Sequence, residues 1–306
     1  MPLTLALLAG TANPDLAANV AQLLGSPFGG CPVQAHPDGE LQADLRRTVR
    51  GCDVYLVQST APRVETHLLE LLLITDACRR AGASRITAIV PYLGYARQER
   101  RTGATQSLGA RVMARILDAA PPDRLVVVDL HAPALEGFFS MPVDHLTAVP
   151  LLADAARPAV PDDAVLVAPD LGAVKLAERY ARLLDRPLAV VHKTRQSGRD
   201  VSVRQIVGDV RGRSPIIVDD MISTGATIAA AMTALLAAGC RPHALVVATH
   251  GLFVAGAEEQ LLSVPIRNIM VTDSIARTAG RLPVQTCSLS ALLAEAVRGL
   301  HSDRIA

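Results

Sequence analysis

Tryptophan is absent from this sequence, and only four tyrosines and four phenylalanines occur among 306 residues, half of which are hydrophobic. The apolar content is therefore almost entirely aliphatic. Val/Ile-rich inner strands under Ala/Leu-rich helices have that composition, which points to an α/β protein. An excess of charge is also missing: 30 Lys and Arg face 29 Asp and Glu, for a net charge of +1. Such a balance sets up no global field for nucleic acid or an anionic membrane, so any anion must be held by a local cluster. No two of the five cysteines (Cys31, Cys52, Cys78, Cys240, Cys287) have CxxC spacing. Buried thiols in a reducing cytoplasm account for them, and a cytoplasmic protein is expected. The apolar start at 3–8 lacks a basic flank and is far too short to span a bilayer, so it reads as a first strand.

What is present alternates. Strand patterns fall at 3–8, 53–57, 85–90, 125–128, 164–168, 188–191, 216–218 and 244–248. Helical spacing covers about 16–24, 64–80, 107–119, 174–184, 228–238 and 290–301. Strands alternating with helices predict mainly parallel sheets flanked by helices. The length suggests two domains, and Pro150, Pro158 and Pro161 mark a crossover between 1–145 and 146–306. The halves echo each other. Val90-Pro91-Tyr92-Leu93-Gly94 matches Ala168-Pro169-Asp170-Leu171-Gly172, and Val127-Val128-Asp129-Leu130 matches Ile217-Val218-Asp219-Asp220. The echoes lie 35 positions apart in the first half and 47 in the second, and a basic hairpin or loop around 193–204 accounts for the extra 12.

The most informative stretch is Val218-Asp219-Asp220-Met221-Ile222-Ser223-Thr224-Gly225-Ala226-Thr227. A strand ends in paired carboxylates, then a Ser/Thr/Gly turn leads into a helix. Strand, loop and helix N-terminus together expose backbone N–H groups to one anion. Gly225 and Ala226 leave room for a phosphate, while Ser223, Thr224 and Thr227 add hydroxyl donors. The acids cannot bind that phosphate, but they suit vicinal hydroxyls or a hard metal ion. An ordinary capped turn would give paired acids little structural use.

Other constellations are weaker alone. Arg97, Arg100 and Arg101, in the loop that also carries Gln98, either clamp polyphosphate through guanidinium forks or form a solvated basic loop. Asp129 and His131 sit at i and i+2 at the carboxyl end of a strand, where open α/β sheets place ligands. They share a metal with Asp170, or His131 is a satisfied structural histidine; residue type leaves both readings open. Lys193 and Arg195 head a Gly-containing polar run that reads as a mobile loop closing over a phosphoryl group, or as a surface charge cluster. His36-Pro37-Asp38-Gly39-Glu40 is a turn with two acids.

Taken in order, these stretches resemble the ribose-phosphate pyrophosphokinase (PRPP synthetase) family. The resemblance spans essentially the whole chain: PDGE at 37–40, GCDVYLVQST at 51–60, PYLGYARQER at 91–100, DLHAPALEGFF at 129–139, APDLGA at 168–173 and VDDMISTGAT at 218–227. It implies two tandem phosphoribosyltransferase-type domains, the first with the ATP motifs and the second with the ribose-5-phosphate and catalytic loops. It also implies a homo-oligomer, dimer or hexamer, that transfers the diphosphoryl group of ATP to ribose 5-phosphate, with Mg²⁺ as cofactor. By matching positions, His36, Asp38, Gly39, Glu40, Arg97 and Gln98 would bind ATP. His131, Asp170 and Asp129 would bind Mg²⁺, and Lys193 and Arg195 would be catalytic. Arg195, Asp219, Asp220, Ser223, Thr224, Gly225, Ala226 and Thr227 would hold ribose 5-phosphate.

The chain departs from the family pattern in four places. His36 replaces an aromatic residue, typically Phe, that stacks on adenine from a neighbouring subunit. The segment Thr102-Gly103-Ala104-Thr105 lacks the anion-binding Arg of an allosteric ADP/phosphate site. Asp170-Leu171-Gly172-Ala173 is closer to archaeal-type members, and Ser140 replaces a frequent acid. Two other readings share parts of the pattern. A PRPP-consuming phosphoribosyltransferase carries the VDD…TGAT loop without needing YARQ or DLHAP, and a weakly active or inactive regulatory paralogue would carry all of them.

Overall fold

The computed structural model describes residues 3–31, 33–45, 47–195 and 201–302, with backbone only at 193–195 and 201–204. The chain forms two compact units. The first comprises 1–147, 274–276 and 288–306, and the second 148–273 and 277–287.

The first unit runs β1 (Thr4–Ala9), α1 (Pro14–Leu24), β2 (Val33–Ala35), β3 (Leu41–Ala43), β4 (Cys52–Val57), α2 (Val64–Arg80), β5 (Arg85–Val90), α3 (Gly109–Leu117), β6 (Arg124–Val128) and β7 (Val143–Leu146). Its main sheet is parallel, in the order β1-β4-β5-β6-β7. β4 is buried along its length, which a parallel strand covered on both faces requires. Val54 and Leu56 of β4 share a core with Leu68, Leu71, Ile74 and Cys78, which recur at helical spacing on α2. The side chain of Asn13 accepts the Leu16 N–H at 3.3 Å and so starts α1 where the sequence pattern expects a cap.

The second unit runs α4 (Val149–Ala156), β8 (Ala164–Ala168), α5 (Val174–Leu184), β9 (Leu188–Arg195), β10 (Val201–Val207), β11 (Ser214–Ile222), α6 (Ala226–Ala237), β12 (Ala244–Gly251), α7 (Ala257–Leu262), β13 (Ile266–Thr272) and β14 (Val284–Cys287). Its sheet has the order β10-β9-β8-β11-β12-β13-β14, with only the β9–β10 pairing antiparallel. β11 thus lies between β8 and β12 with Pro215–Val218 buried, and α6 packs Ile228, Ala231, Met232 and Leu235 into the same core.

Three differences from the sequence reading bear on function. Residues 193–195 belong to β9, paired antiparallel with 201–203 of β10, so of the two expectations for 193–204 the hairpin holds, and Lys193 and Arg195 stand on a strand and not on a mobile loop; residues 196–200 lie outside the described residues. β11 continues through both aspartates to Ile222, because β12 remains beside it. The closing helix α8 (Ser290–His301) packs on α1 of the first unit, although the sequence assigns it to the second half. Arg85 on β5 donates to the buried Asp53 carboxylate at 2.8 and 2.7 Å and to Leu300 O at 2.8 Å, and His301 Nδ1 lies 2.7 Å from Asp53. Among the described residues, no helix is long and apolar enough to cross a membrane.

Candidate active site

In the second unit, the predicted anion loop lies between β11 and α6. Its main chain is braced from the β12 side: Ile222 O accepts from Leu252 and Phe253 N–H at 2.9 and 3.1 Å, and Ser223 O accepts from Val254 N–H at 3.1 Å. Gly225 is the N-cap of α6, with φ 76°, so it offers no side chain to the helix's first N–H groups. The Thr224 hydroxyl reaches the Ala226 N–H at 3.4 Å. Gly225 also has a packing reason that the sequence does not show. A Cβ there would stand 2.7 Å from Leu261 Cγ of α7, so the missing side chain leaves room for a core leucine. Ser223 and Thr227 are half-buried and Thr224 is exposed, an arrangement in which hydroxyls rim a helix N-terminus.

Asp219 and Asp220 precede this loop, and the Asp220 N–H donates to Asp219 Oδ1 at 2.9 Å. Asp170 follows β8, the neighbour of β11, and its Oδ1 accepts the Gly172 and Ala173 N–H groups at 2.9 and 3.2 Å. Burial, then the charge of Asp220 and its hydrogen bond, then the charge of Asp170 push the Asp219 carboxyl well above the usual carboxylate range. This end of the sheet therefore concentrates negative charge, which cations or hydroxyl donors would relieve.

The first unit presents the other motifs. The 91–100 loop is held at Gly94, whose N–H donates to Thr60 Oγ1 at 2.6 Å, and Thr60 Oγ1 in turn donates to Tyr92 O at 3.1 Å. The Gln98 side chain lies over the start of α3, where a Cβ on Gly109 would come within 2.3 Å of Gln98 Oε1. Arg97, Arg100 and Arg101 are exposed. His36 to Glu40 form the exposed tip of the β2–β3 hairpin, closed by His36 N–H to Glu40 O at 2.8 Å. Asp129 follows β6 in a left-handed conformation, φ 39°, and is buried; His131 is exposed. Ser140, where relatives often carry an acid, donates to Asp118 Oδ1 at 2.7 Å.

Asp129 and His131 therefore belong to one unit and Asp170 to the other. Among the described residues, no three His, Cys, Asp or Glu side chains gather at metal-binding spacing. The donors present, carboxylate oxygens with one imidazole, nonetheless suit Mg²⁺, which keeps waters and phosphate oxygens in its shell and needs few protein ligands. The side chains of Lys193 and Arg195 lie outside the described residues; their backbone is on β9.

Residues 5–120 match the N-terminal domain of ribose phosphate pyrophosphokinase, and residues 196–305 match the phosphoribosyl synthetase-associated domain. A ribose-phosphate pyrophosphokinase of Gloeobacter violaceus is 39% identical over 302 residues, covering 98% of this chain and 91% of the relative. The chain belongs to the ribose-phosphate pyrophosphokinase family. Another member, from Staphylococcus saprophyticus, is 40% identical over 290 residues, covering 93% of this chain and 90% of that one. The crystal structure of phosphoribosylpyrophosphate synthetase from Mycobacterium smegmatis superposes with a TM-score of 0.91 at 37% identity, covering 98% of this chain and 99% of that one. Within this ribose-phosphate pyrophosphokinase fold, the supports of the loops stand outside the loops' own sequence. Thr60, Leu261 and the 252–254 segment shape the loops from more than 25 positions away, and periodicity carries no signal for them.

Proposed function

We propose that this chain is a ribose-phosphate diphosphokinase, transferring the diphosphoryl group of ATP to O1 of ribose 5-phosphate to give PRPP and AMP. The observation that carries this reading is the β11–α6 loop, an anion cradle preceded by paired carboxylates, in a chain matched nearly end to end by ribose-phosphate pyrophosphokinases. In this reading Ser223 to Thr227 anchor the 5-phosphate, and Asp219 and Asp220 accept hydrogen bonds from the ribose hydroxyls. His36, Asp38, Gly39, Glu40, Arg97 and Gln98 bind ATP. The anomeric hydroxyl attacks the β-phosphorus in line and the bond to the α-phosphate oxygen breaks, so that AMP leaves. Phosphoryl transfer asks mostly for positioning and charge neutralisation. Lys193 and Arg195 supply part of that neutralisation at the transition state. Asp129 and His131 would hold Mg²⁺, with Asp170 a further candidate ligand, and the ion would supply charge neutralisation to the reacting phosphates.

The chain is further read as a cytoplasmic homo-oligomer, dimer or hexamer, a state that sedimentation of the purified protein measures. The activity is tested by coupled AMP release with ATP, Mg²⁺ and ribose 5-phosphate. AMP formation dependent on both substrates is expected. Absence of turnover with every divalent metal would point to a regulatory paralogue, and pyrophosphate release from PRPP plus a base would point to a phosphoribosyltransferase.

A further inference from the structure

The turn bearing Asp129 and His131 is anchored by a side chain that no motif includes. After β6 the main chain enters the left-handed region at Asp129, φ 39°, a conformation an L-residue holds only where its surroundings fix it. Two consecutive N–H groups tie it to β7. Asp129 N–H donates to Leu146 O at 3.0 Å, and Leu130 N–H donates to His145 Nε2 at 2.9 Å. The second bond defines the imidazole. An Nε2 that accepts an amide proton carries none of its own, so in the neutral ring the proton sits on Nδ1. That nitrogen lies 3.3 Å from Glu136 Oε1, an acceptor on the segment between the turn and β7. His145 is thus oriented from both sides, and Leu130, whose amide it receives, is buried.

We infer that His145 is a positioning residue for the reaction: its Nε2 holds the Leu130 amide and thereby sets where Asp129 and His131 present their side chains. The inference rests on the proposed role of those two residues toward the nucleotide and its metal. His145 itself touches neither substrate nor metal in this scheme. Removing the acceptor leaves a buried N–H to find another partner and frees the turn, and a small misplacement of reacting groups lowers the rate much more than it lowers stability.

The test compares His145→Leu, His145→Gln and His131→Ala with the wild type in AMP release, with thermal melting to establish the folded fraction and hydrogen exchange read on peptides covering Leu130. The glutamine side-chain oxygen can take the place of Nε2 as acceptor. His145→Leu should lower kcat roughly 10- to 100-fold with the KM for ribose 5-phosphate within about twofold, because the sugar-phosphate loop is in the other unit. It should also speed exchange at Leu130, while His145→Gln restores most of the rate and the protection. Full kcat in His145→Leu beside a crippled His131→Ala overturns the inference, and so does equal impairment in the leucine and glutamine variants. Full kcat in His131→Ala overturns the role of the turn and takes the inference with it. A wild type that forms no AMP refutes the proposed function instead; the anchor is then judged by exchange, and unchanged protection in His145→Leu refutes it.

Discussion

At Gly225 two constraints coincide: a left-handed backbone, φ 76°, and a leucine side chain 2.7 Å from where a Cβ would lie. Gly225→Ala should therefore cost about 1–3 kcal/mol, read as a lower urea midpoint, and should raise the KM for ribose 5-phosphate. A variant with unchanged midpoint and KM would show that α7 yields freely. Lys193 makes a different demand. As a cation acting on the transition state, its replacement by alanine should lower kcat by orders of magnitude with little change in ribose-5-phosphate affinity; unchanged kcat would remove it from the mechanism. Legibility at this scale follows chain distance. Asp219, Asp220 and the loop after them stand together in the sequence, so their chemistry shows as a word. Leu261 lies far along the chain from Gly225, and nothing in residue type links the two before the fold brings them together. The sequence suggests room for a phosphate at Gly225; on its Cβ side the space is taken by a core side chain.

Among the elements, those with a strong period were legible and those defined by a partner were not. α2 and α5 have the bounds that apolar spacing predicts. β14 is short and half exposed, and β9 beyond 191 is polar; these segments, like β10, are strands because a neighbour supplies the ladder. α8 was legible as a helix but not as a member of the first unit, since its anchor, Asp53, is buried on β4. Burial alone would raise the Asp53 carboxyl, but hydrogen bonds from Arg85, His301 and Tyr55, with the Arg85 charge, hold it below the usual range. Its depressed value means that its contribution to stability is present above the unfolded carboxylate value and is lost as pH falls through the folded one. Asp53→Asn should cost about 3–5 kcal/mol at neutral pH. In urea melts followed from pH 7 downward, the gap to wild type should begin to narrow below about pH 4 and go on narrowing as the pH falls further. A gap independent of pH would show that the carboxylate charge is not what holds the helix.

For the whole molecule, membership of the ribose-phosphate pyrophosphokinase family raises the matter of regulation. Thr102 donates its N–H and hydroxyl to Gln106 Oε1 at 3.0 and 2.7 Å, and residues 102–105 contain no arginine. ADP should accordingly inhibit only by competing with ATP. Initial rates at saturating ATP check this, and inhibition that persists there would reveal an allosteric anion site of another construction. Composition indicated the fold class well, because aliphatic content and alternation are properties of the whole chain. How the units share the chain was not legible, because it rests on contacts between segments far apart in sequence, such as α8 on α1 and His301 on Asp53.

That sharing sets an order of events during synthesis. The second unit leaves the ribosome almost as one uninterrupted stretch, whereas the first waits for α8, made after all of the second. Every motif of the first unit has by then been translated, yet Arg85 still lacks Leu300 O and Asp53 still lacks His301. The unit that begins first is thus completed last, and a chain stopped short of α8 would damage the first unit while sparing the second.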